Sequence, residues 1–413
     1  MSFLRALIGR TKESRTAGVS TVWQAGQPVH MPRDYATFAK EGYQANIVAY
    51  RCISLIAECA AAIPWTLYRG DTEVNAHWML EVLARPNAMQ DGISWAEALY
   101  SYDLLSGNSY IEGVFAGRSG ELYALRPDRM RIVPASDGTI ASYVYTVNGR
   151  SVTWGADEGA ILHLKRFHPM SDYYGMSPLE AAAYAADQHN AGSKWNLGLL
   201  QNGMRPSGAV QYEPKDGPQQ MGDDEFRRLK SELDEQGASS GKTGRPLLLE
   251  GGLKWVQTML TQHDADFLGL VDKSASQIAQ AFQVPEQLVG VPGQQTYNNY
   301  REARLALYED AVLPLVNKYA RALTEWMVQP RLGPNWRLSF NEDDIPALAV
   351  RKEAQFDRLD GASFLTINEK REALGYEPVD GGDTLLVPAG NLPLSFASEP
   401  PDIGGSQPAP DED

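Results

Sequence analysis

Cysteine is scarce: Cys52 and Cys59 are the only two in a chain of 413 residues. A disulfide scaffold is therefore excluded, and their spacing of seven matches no metal or redox motif. On a helix, Val48, Cys52, Ile56, Cys59 and Ile63 form one apolar stripe, with Arg51, Ser54 and Glu58 opposite. Both thiols thus read as core filler, and a reducing, cytosolic site of assembly fits. No apolar run approaches the roughly 18 residues of a membrane span, so no membrane partner is expected. The start, MSFLRALIGR, has too short an apolar core for a secretory signal. Base is also short: 37 Lys and Arg face 52 Asp and Glu, a formal charge of -15. Such a net field repels duplex phosphates and excludes a general nucleic-acid clamp.

What is present is apolar content of 43%, enough for a sizeable core divided among several modules. The ends differ in sign. Residues 1–33 carry Arg5, Arg10, Lys12, Arg15 and Arg33 against Glu13; the last 23 carry Glu399, Asp402, Asp411, Glu412 and Asp413 without a base. They read either as two solvated tails or, at the front, as a basic arm gripping a partner. Beyond residue 391, Pro, Gly, Ser and acids dominate, and disorder is expected.

Pattern predicts an α+β chain. Helices are expected at about 46–63, 77–84 and 94–105, and strands at 65–68, 109–115, 130–134, 142–147 and 160–165. Gly107-Asn108, Ser136-Asp137-Gly138 and Asn148-Gly149 supply turns. Ser177 can cap a helix, Pro178 suits its first position and Glu180 completes a capping box. That alanine-rich helix, 178–202, would be roughly 37 Å long at 1.5 Å per residue. An insertion follows at 205–262, with strands at 208–212, 246–250 and 254–259 and a charged helix at 223–235. A second helix at 264–283 follows, capped by Thr261, and a long one at 298–327, bent near Pro314. A strand at 336–340 and helices at 347–359 and 368–374 complete the chain, the last with a capping box of Thr366 and Glu369.

Several motifs invite a catalytic reading and fail. Gly237-Ala-Ser-Ser-Gly241-Lys242-Thr243 is one residue short of a phosphate-binding loop and follows an acidic helix rather than a buried strand. Ser177 lacks the closing glycine of a hydrolase elbow, and Pro178 has no N–H for an oxyanion hole. His163 and His168, five apart on a strand, face opposite sides and make a poor metal pair. The acidic clusters at 223–225 and 342–344 read as a helix start and a solvated turn. No catalytic residue, metal or cofactor is expected.

The stretch FQVPEQLVGVPGQQTYNNYREARLALY, residues 282–308, reads as a helix end, a loop and the start of a long helix. Within 285–299 the only charge is Glu286, and the tip at 290–296 has no His, Cys, Asp or Lys. Polar amides on a loop suit sliding, sequence-blind contact better than chemistry.

Taken in order, many segments resemble the portal proteins of tailed bacteriophages, in the short form found with siphovirus-like heads. They are YRCISLIA at 50–57 with Ile63-Pro64, Arg85-Pro86-Asn87, Gly107-Asn108-Ser109-Tyr110, Leu125-Arg126-Pro127 and Ile161-Leu162-His163. GMSPLE at 175–180 is the strongest. Asn202-Gly203, Pro206-Ser207-Gly208, Phe282 to Pro285, Leu288 to Gly290, Tyr297-Asn298-Asn299, LTINEKR at 365–371 and Gly381-Gly382-Asp383 continue it. Each is weak alone; their order over about 40–390 makes the match specific.

The resemblance implies a multi-module portal fold. It has an N-terminal arm (1–40), an α+β wing (41–176), stem helices (177–204 and 263–284) and a small α+β clip (205–262). A tunnel loop (285–299), a long bent helix with a wing strand (300–345), a helical crown (346–390) and an acidic tail (391–413) follow. It implies a homo-oligomeric ring, usually a dodecamer, at one capsid vertex of a virion assembled in the bacterial host cytoplasm. Double-stranded DNA would pass its channel without sequence specificity, with the terminase large subunit, head-tail adaptor and major capsid protein as partners. The tunnel loop would present Pro292, Gly293, Gln294, Gln295, Thr296 and Asn298, and Lys194 and Lys273 are candidates for lining the channel among the stem helices. Alternatives are another ring-forming head-tail connector component, or a nucleotide hydrolase using Gly241-Lys242-Thr243.

Overall fold

The computed structural model describes residues 34–201, 208–212, 253–257, 264–291 and 297–385, with Asp224, Arg227, Arg228 and Ser231. The order opens with a short helix α1 (Tyr35–Thr37), capped by Asp34 and widening into a π-helical stretch at Phe38–Gln44. Helix α2 (Ile47–Ala61) begins at Asn46, whose side chain accepts from the N–H groups of Val48 and Ala49. Its apolar stripe is buried as the spacing requires: Cys52, Ile53 and Ala57 are inaccessible. Ser54 departs from expectation. It is buried on the supposedly polar face, with its hydroxyl 3.4 Å from that of Tyr43, because the preceding π stretch covers that side. Cys59 is half-buried and free, as is the buried Cys52.

Strand β1 (Thr66–Arg69) lies in an antiparallel sheet between β2 (Thr72–Val74) and β11 (Trp336–Ser339), so the chain returns late to close its first module. Helices α3 (Trp78–Ala84) and α4 (Gly92–Ser106) follow. Gly107 ends α4 at φ 73°, and a Cβ there would meet the Met176 backbone at 2.5 Å. Only glycine admits both that φ and that approach.

Two small sheets come next. Strands β3 (Asn108–Ala116), β4 (Ser119–Leu125) and β8 (Ile161–Lys165) form one, in the order β4-β3-β8. Strands β5 (Met130–Pro134), β6 (Ile140–Val147) and β7 (Arg150–Gly155) form the other. Asn148 (φ 49°) and Gly149 (φ 77°) make the two-residue turn between β6 and β7, as their pairing demands. Sequence pattern missed β2, β4 and β7. In β4 the buried residues Leu122 and Leu125 are three apart, and in β7 the first four positions are all exposed, so neither shows period-two alternation.

The segment from Pro178 is two helices, not one: a single turn α5 (Pro178–Ala181), a break at Ala182, then α6 (Ala183–Gln201). Strands β9 (Gly208–Tyr212) and β10 (Leu253–Gln257) pair antiparallel. The strand at 246–250, the capping Thr261 and the Gly241-Lys242-Thr243 loop lie outside the described residues, as does most of the helix at 223–235. Helix α7 (Asp264–Ala281) matches expectation.

The long helix is α8 (Tyr297–Leu307), a π turn at Tyr308–Val312, α9 (Leu313–Leu323), a second π turn at Thr324–Val328, and α10 (Gln329–Leu332). Each π turn is followed two residues later by a proline, Pro314 and Pro330. Proline has no N–H and its ring collides with the carbonyl four residues back. Widening the spiral just upstream, with Leu313 N–H bonded to Tyr308 O and Gln329 N–H to Thr324 O, accommodates both. Helices α11 (Ala349–Asp360) and α12 (Ile367–Ala373) end the described chain. One main core runs through α2, α4, the near ends of α6 and α7, the long helix and β11; a smaller one sits between the two strand sheets around Tyr110, Ile132 and Tyr143.

Candidate functional site: paired helices and the loop beyond them

Helices α6 and α7 pack side by side through small residues. Ala182, Ala183, Ala185 and Ala186 are buried, as are Ala275 and Ala279 across from them. Gly192 marks a close approach: a Cβ there would lie 2.8 Å from Val271 Cγ2. The root of α6 is stapled to the N-terminal module. Asn46 Nδ2 donates to Asn190 Oδ1 at 3.0 Å and lies 3.3 Å from His189 Nδ1, and Asn190 Nδ2 donates to Glu41 O. Burial lowers the pKa of His189 and keeps its Nδ1 free to accept.

Ser177 caps α5 as expected, accepting from Leu179 N at 2.9 Å while donating to Leu104 O. No capping box closes with Glu180. The Ser177 oxygen takes the second N–H of a one-turn helix rather than the third, so the reciprocal geometry is not set up. At Thr366 the box does form: Thr366 N donates to Glu369 Oε2 at 2.8 Å and Glu369 N to Thr366 Oγ1 at 3.2 Å.

Helix α7 ends in a Schellman motif. Val284 N reaches Ala279 O at 2.9 Å, Gln283 N reaches Gln280 O at 3.0 Å, and Gln283 stands at φ 57°. A glutamine holds this left-handed position because Phe282 and Val284 on either side are buried and fix the backbone. Leu288 is also buried, so the entry to the loop is anchored. Of the residues expected at the tip, Pro292, Gly293, Gln294, Gln295 and Thr296 lie outside the described residues; Asn298 is exposed in the first turn of α8. Lys194 on α6 is largely exposed, 3.6 Å from Glu41 Oε2, and Lys273 is exposed on α7. Tyr184, Leu197 and Leu270 are exposed apolar residues on the same two helices.

Behind the loop's entry lies an ionic node that sequence reading missed. Asp103 is fully buried; Arg166 Nε donates to its Oδ2 at 2.7 Å and Lys318 Nζ to its Oδ1 at 2.6 Å. The node ties α4, the end of β8 and the long helix together. Tyr319 adds a second tie, its hydroxyl 3.1 Å from Leu99 O and 2.5 Å from Ser109 Oγ. A cleft of about 380 Å³ opens beside the node, lined by Phe282, Gln283, Asp310, Pro314 and Lys318. The one sequence signal was an acid inside an apolar helix face, SYDLL. With both oxygens held by cations, Asp103 is a structural anchor.

His163 is likewise structural. Its ring stacks on Tyr110 at 4.3 Å, and its Nε2 lies 3.1 Å from Asn108 Oδ1, which also accepts from Gly175 N. The imidazole therefore donates from Nε2, and burial, with Lys165 and Lys318 nearby, pushes its pKa down to about 3. His168 accepts from Met170 N in the following loop. Among the described residues, no three His, Cys, Asp or Glu side chains gather where they could hold a metal ion.

The phage portal protein family matches this chain over residues 47–375. An uncharacterised protein of Rickettsia felis is 36% identical over 354 residues, covering 84% of this chain and 90% of that one. The neck of an empty gene transfer agent (GTA) particle, computed with C6 symmetry, aligns with a TM-score of 0.68 and 41% identity, covering 86% of this chain and 96% of the other. The neck of the native GTA particle, computed with C12 symmetry, aligns at 0.65 and 41% identity, covering 86% and 97%.

Proposed function

The chain belongs to the phage portal protein family, and from that membership we propose that its copies close into a ring, of twelve as in the C12 neck it resembles, through whose channel double-stranded DNA enters and leaves a capsid. In this reading α6 and α7 are the stem, residues 205–262 the clip that meets the terminase motor and later the head-tail adaptor, 285–299 the tunnel loop, and residues 346–390 the crown. The N-terminal module and the long helix form the wing, which seats against the major capsid protein. The particle is a virion or a virion-like carrier.

One observation carries the assignment of the channel's narrow part: no charged residue stands between Glu286 and Arg301. Each phosphate neutralised by a Lys or Arg adds salt-dependent affinity, and a ring of such contacts would brake a moving duplex. Gln294, Gln295, Thr296 and Asn298 offer amide and hydroxyl contacts without that charge. The acidic balance of the whole chain works the same way. The reading assigns no catalytic step; force comes from the separate motor.

Deletion of residues 293–296 is expected to leave rings intact by electron microscopy while altering DNA packaging or retention. Gln294→Lys with Gln295→Lys is expected to slow packaging most at low salt and to recover as salt rises. Loss of rings on deletion, or packaging rates insensitive to the added lysines, overturns the tunnel-loop assignment.

A further inference from the structure

Across 349–385, among the described side chains, only Asn368 and Gly382 are buried, and neither is apolar. The same stretch exposes Phe356, Phe364, Ile367, Tyr376, Val379 and Leu385, with Phe364 at 76%. It is nonetheless well shaped. Gln355 Nε2 donates to Ala373 O at 3.2 Å, and Lys370 Nζ to Asp360 O at 3.1 Å, holding α11 against α12. Asn368 clamps the following loop, donating to Val379 O and Asp383 Oδ1 and accepting from Val379 N. The ties to the body include Lys352 to Asp343 at 2.7 Å and Arg351 to Glu309 at 3.5 Å, both exposed.

These bonds set geometry but supply little stability. Exposed ion pairs contribute about 0–1 kcal/mol each. Ordering a residue costs about 1–2 kcal/mol, and helices shorter than about 12–15 residues are marginal without apolar burial. A helical hairpin with no apolar side chain buried among its described residues needs a cover.

We infer that this hairpin is completed in trans: its apolar side packs on a second copy of the chain, so that it reaches full stability only in the assembled ring. The inference rests on the ring reading above. Cyclic closure sets a copy of the same hairpin beside each one in fixed stoichiometry, through a head-to-tail interface that joins unlike faces. The hairpin's charges are of mixed sign, five basic and eight acidic over 349–385, so copies side by side can set unlike charges against each other. The rival cover is residues 386–396 of the same chain. Truncation after Leu385 distinguishes it.

Hydrogen exchange on the full chain, as dilute monomer and as isolated ring, tests this. Amides of α11 and α12 are expected to slow by about 100-fold on assembly, while those of α2 and α4 change less than about threefold. Phe364→Asp is expected to cut ring yield or the hairpin's protection in the ring at unchanged monomer melting temperature. Equal hairpin exchange in monomer and ring overturns the inference and leaves the ring reading standing. So does loss of the ring's hairpin protection when the chain is truncated after Leu385, which would identify a cover in cis. Failure of the natural chain to form rings at any concentration overturns both readings together.

Discussion

Nine of the 15 residues of α2 are buried, whereas none of the described side chains of the 12-residue α11 is. Both helices are amphipathic in sequence, and both are held in place by specific polar contacts. The difference is where the apolar side goes. Helix α2 faces α4 and the long helix of its own chain. Helix α11 meets α12 and the body through polar contacts and leaves Phe356 exposed. A single polypeptide thus contains one region whose stability is its own and another whose stability belongs to an assembly, and only the first obeys the usual rule that a domain closes its own core.

The largest way to break that comparison is Asp103→Ala. It leaves Arg166 and Lys318 without their shared carboxylate inside the self-sufficient region, an expected loss of about 3–5 kcal/mol by analogy with other broken buried ion pairs. Urea denaturation of the monomer measures it. Exchange in α11 and α12 should stay as it was; a loss below about 1 kcal/mol would mean the node is not holding that region together.

Acid acts on the same region more gradually. His163 folds with its pKa near 3, against 6.5 for the free side chain. Between those values the unfolded chain binds a proton that the folded chain refuses, so stability falls as pH drops through that window and is full above it. His163→Gln should flatten the denaturation midpoint between pH 4 and 7. A slope unchanged by the substitution assigns the acid sensitivity to other groups. The hairpin's own exchange should not follow this titration.

The smallest effect sharpens the other side. Thr366→Ala removes one half of the capping box, worth about 1 kcal/mol, and acts only on α12. Its signature is faster exchange confined to 367–373 in the ring, with the monomer's melting temperature unmoved.

Much of this was legible in the residues. Regular elements with clean spacing, such as α2, β5 and α7, came through because their periodicity reports burial directly. The Gly175-to-Glu180 segment and the order of short motifs carried the family. Three things were not legible. Strand β7 has no alternation because its first residues meet water on both faces. Glu180 fits the capping-box spacing, yet the helix it starts is one turn long. The Asp103 node depends on Arg166 and Lys318, 63 and 215 residues away in sequence, and only the fold brings them together. The entry through Gln283 closes α7 and the exit at Asn298 opens α8, while the stretch between them, 292–296, was legible only as one without charge.

The two π turns of the long helix have a geometric consequence for that exit. Each holds about one residue more per turn than an α-helix would, so each stores an inserted residue while keeping the helix on either side in phase. Removing one residue within 308–312 would turn the wide turn into an ordinary α turn and leave the helix on either side nearly in phase, because both kinds of turn complete about one revolution. A residue inserted or deleted in the α-helical part between this turn and the exit, 299–307, has no wide turn to absorb it and would re-aim Tyr297 and Asn298 by about 100°; the wide turns are where this helix tolerates a change in residue count.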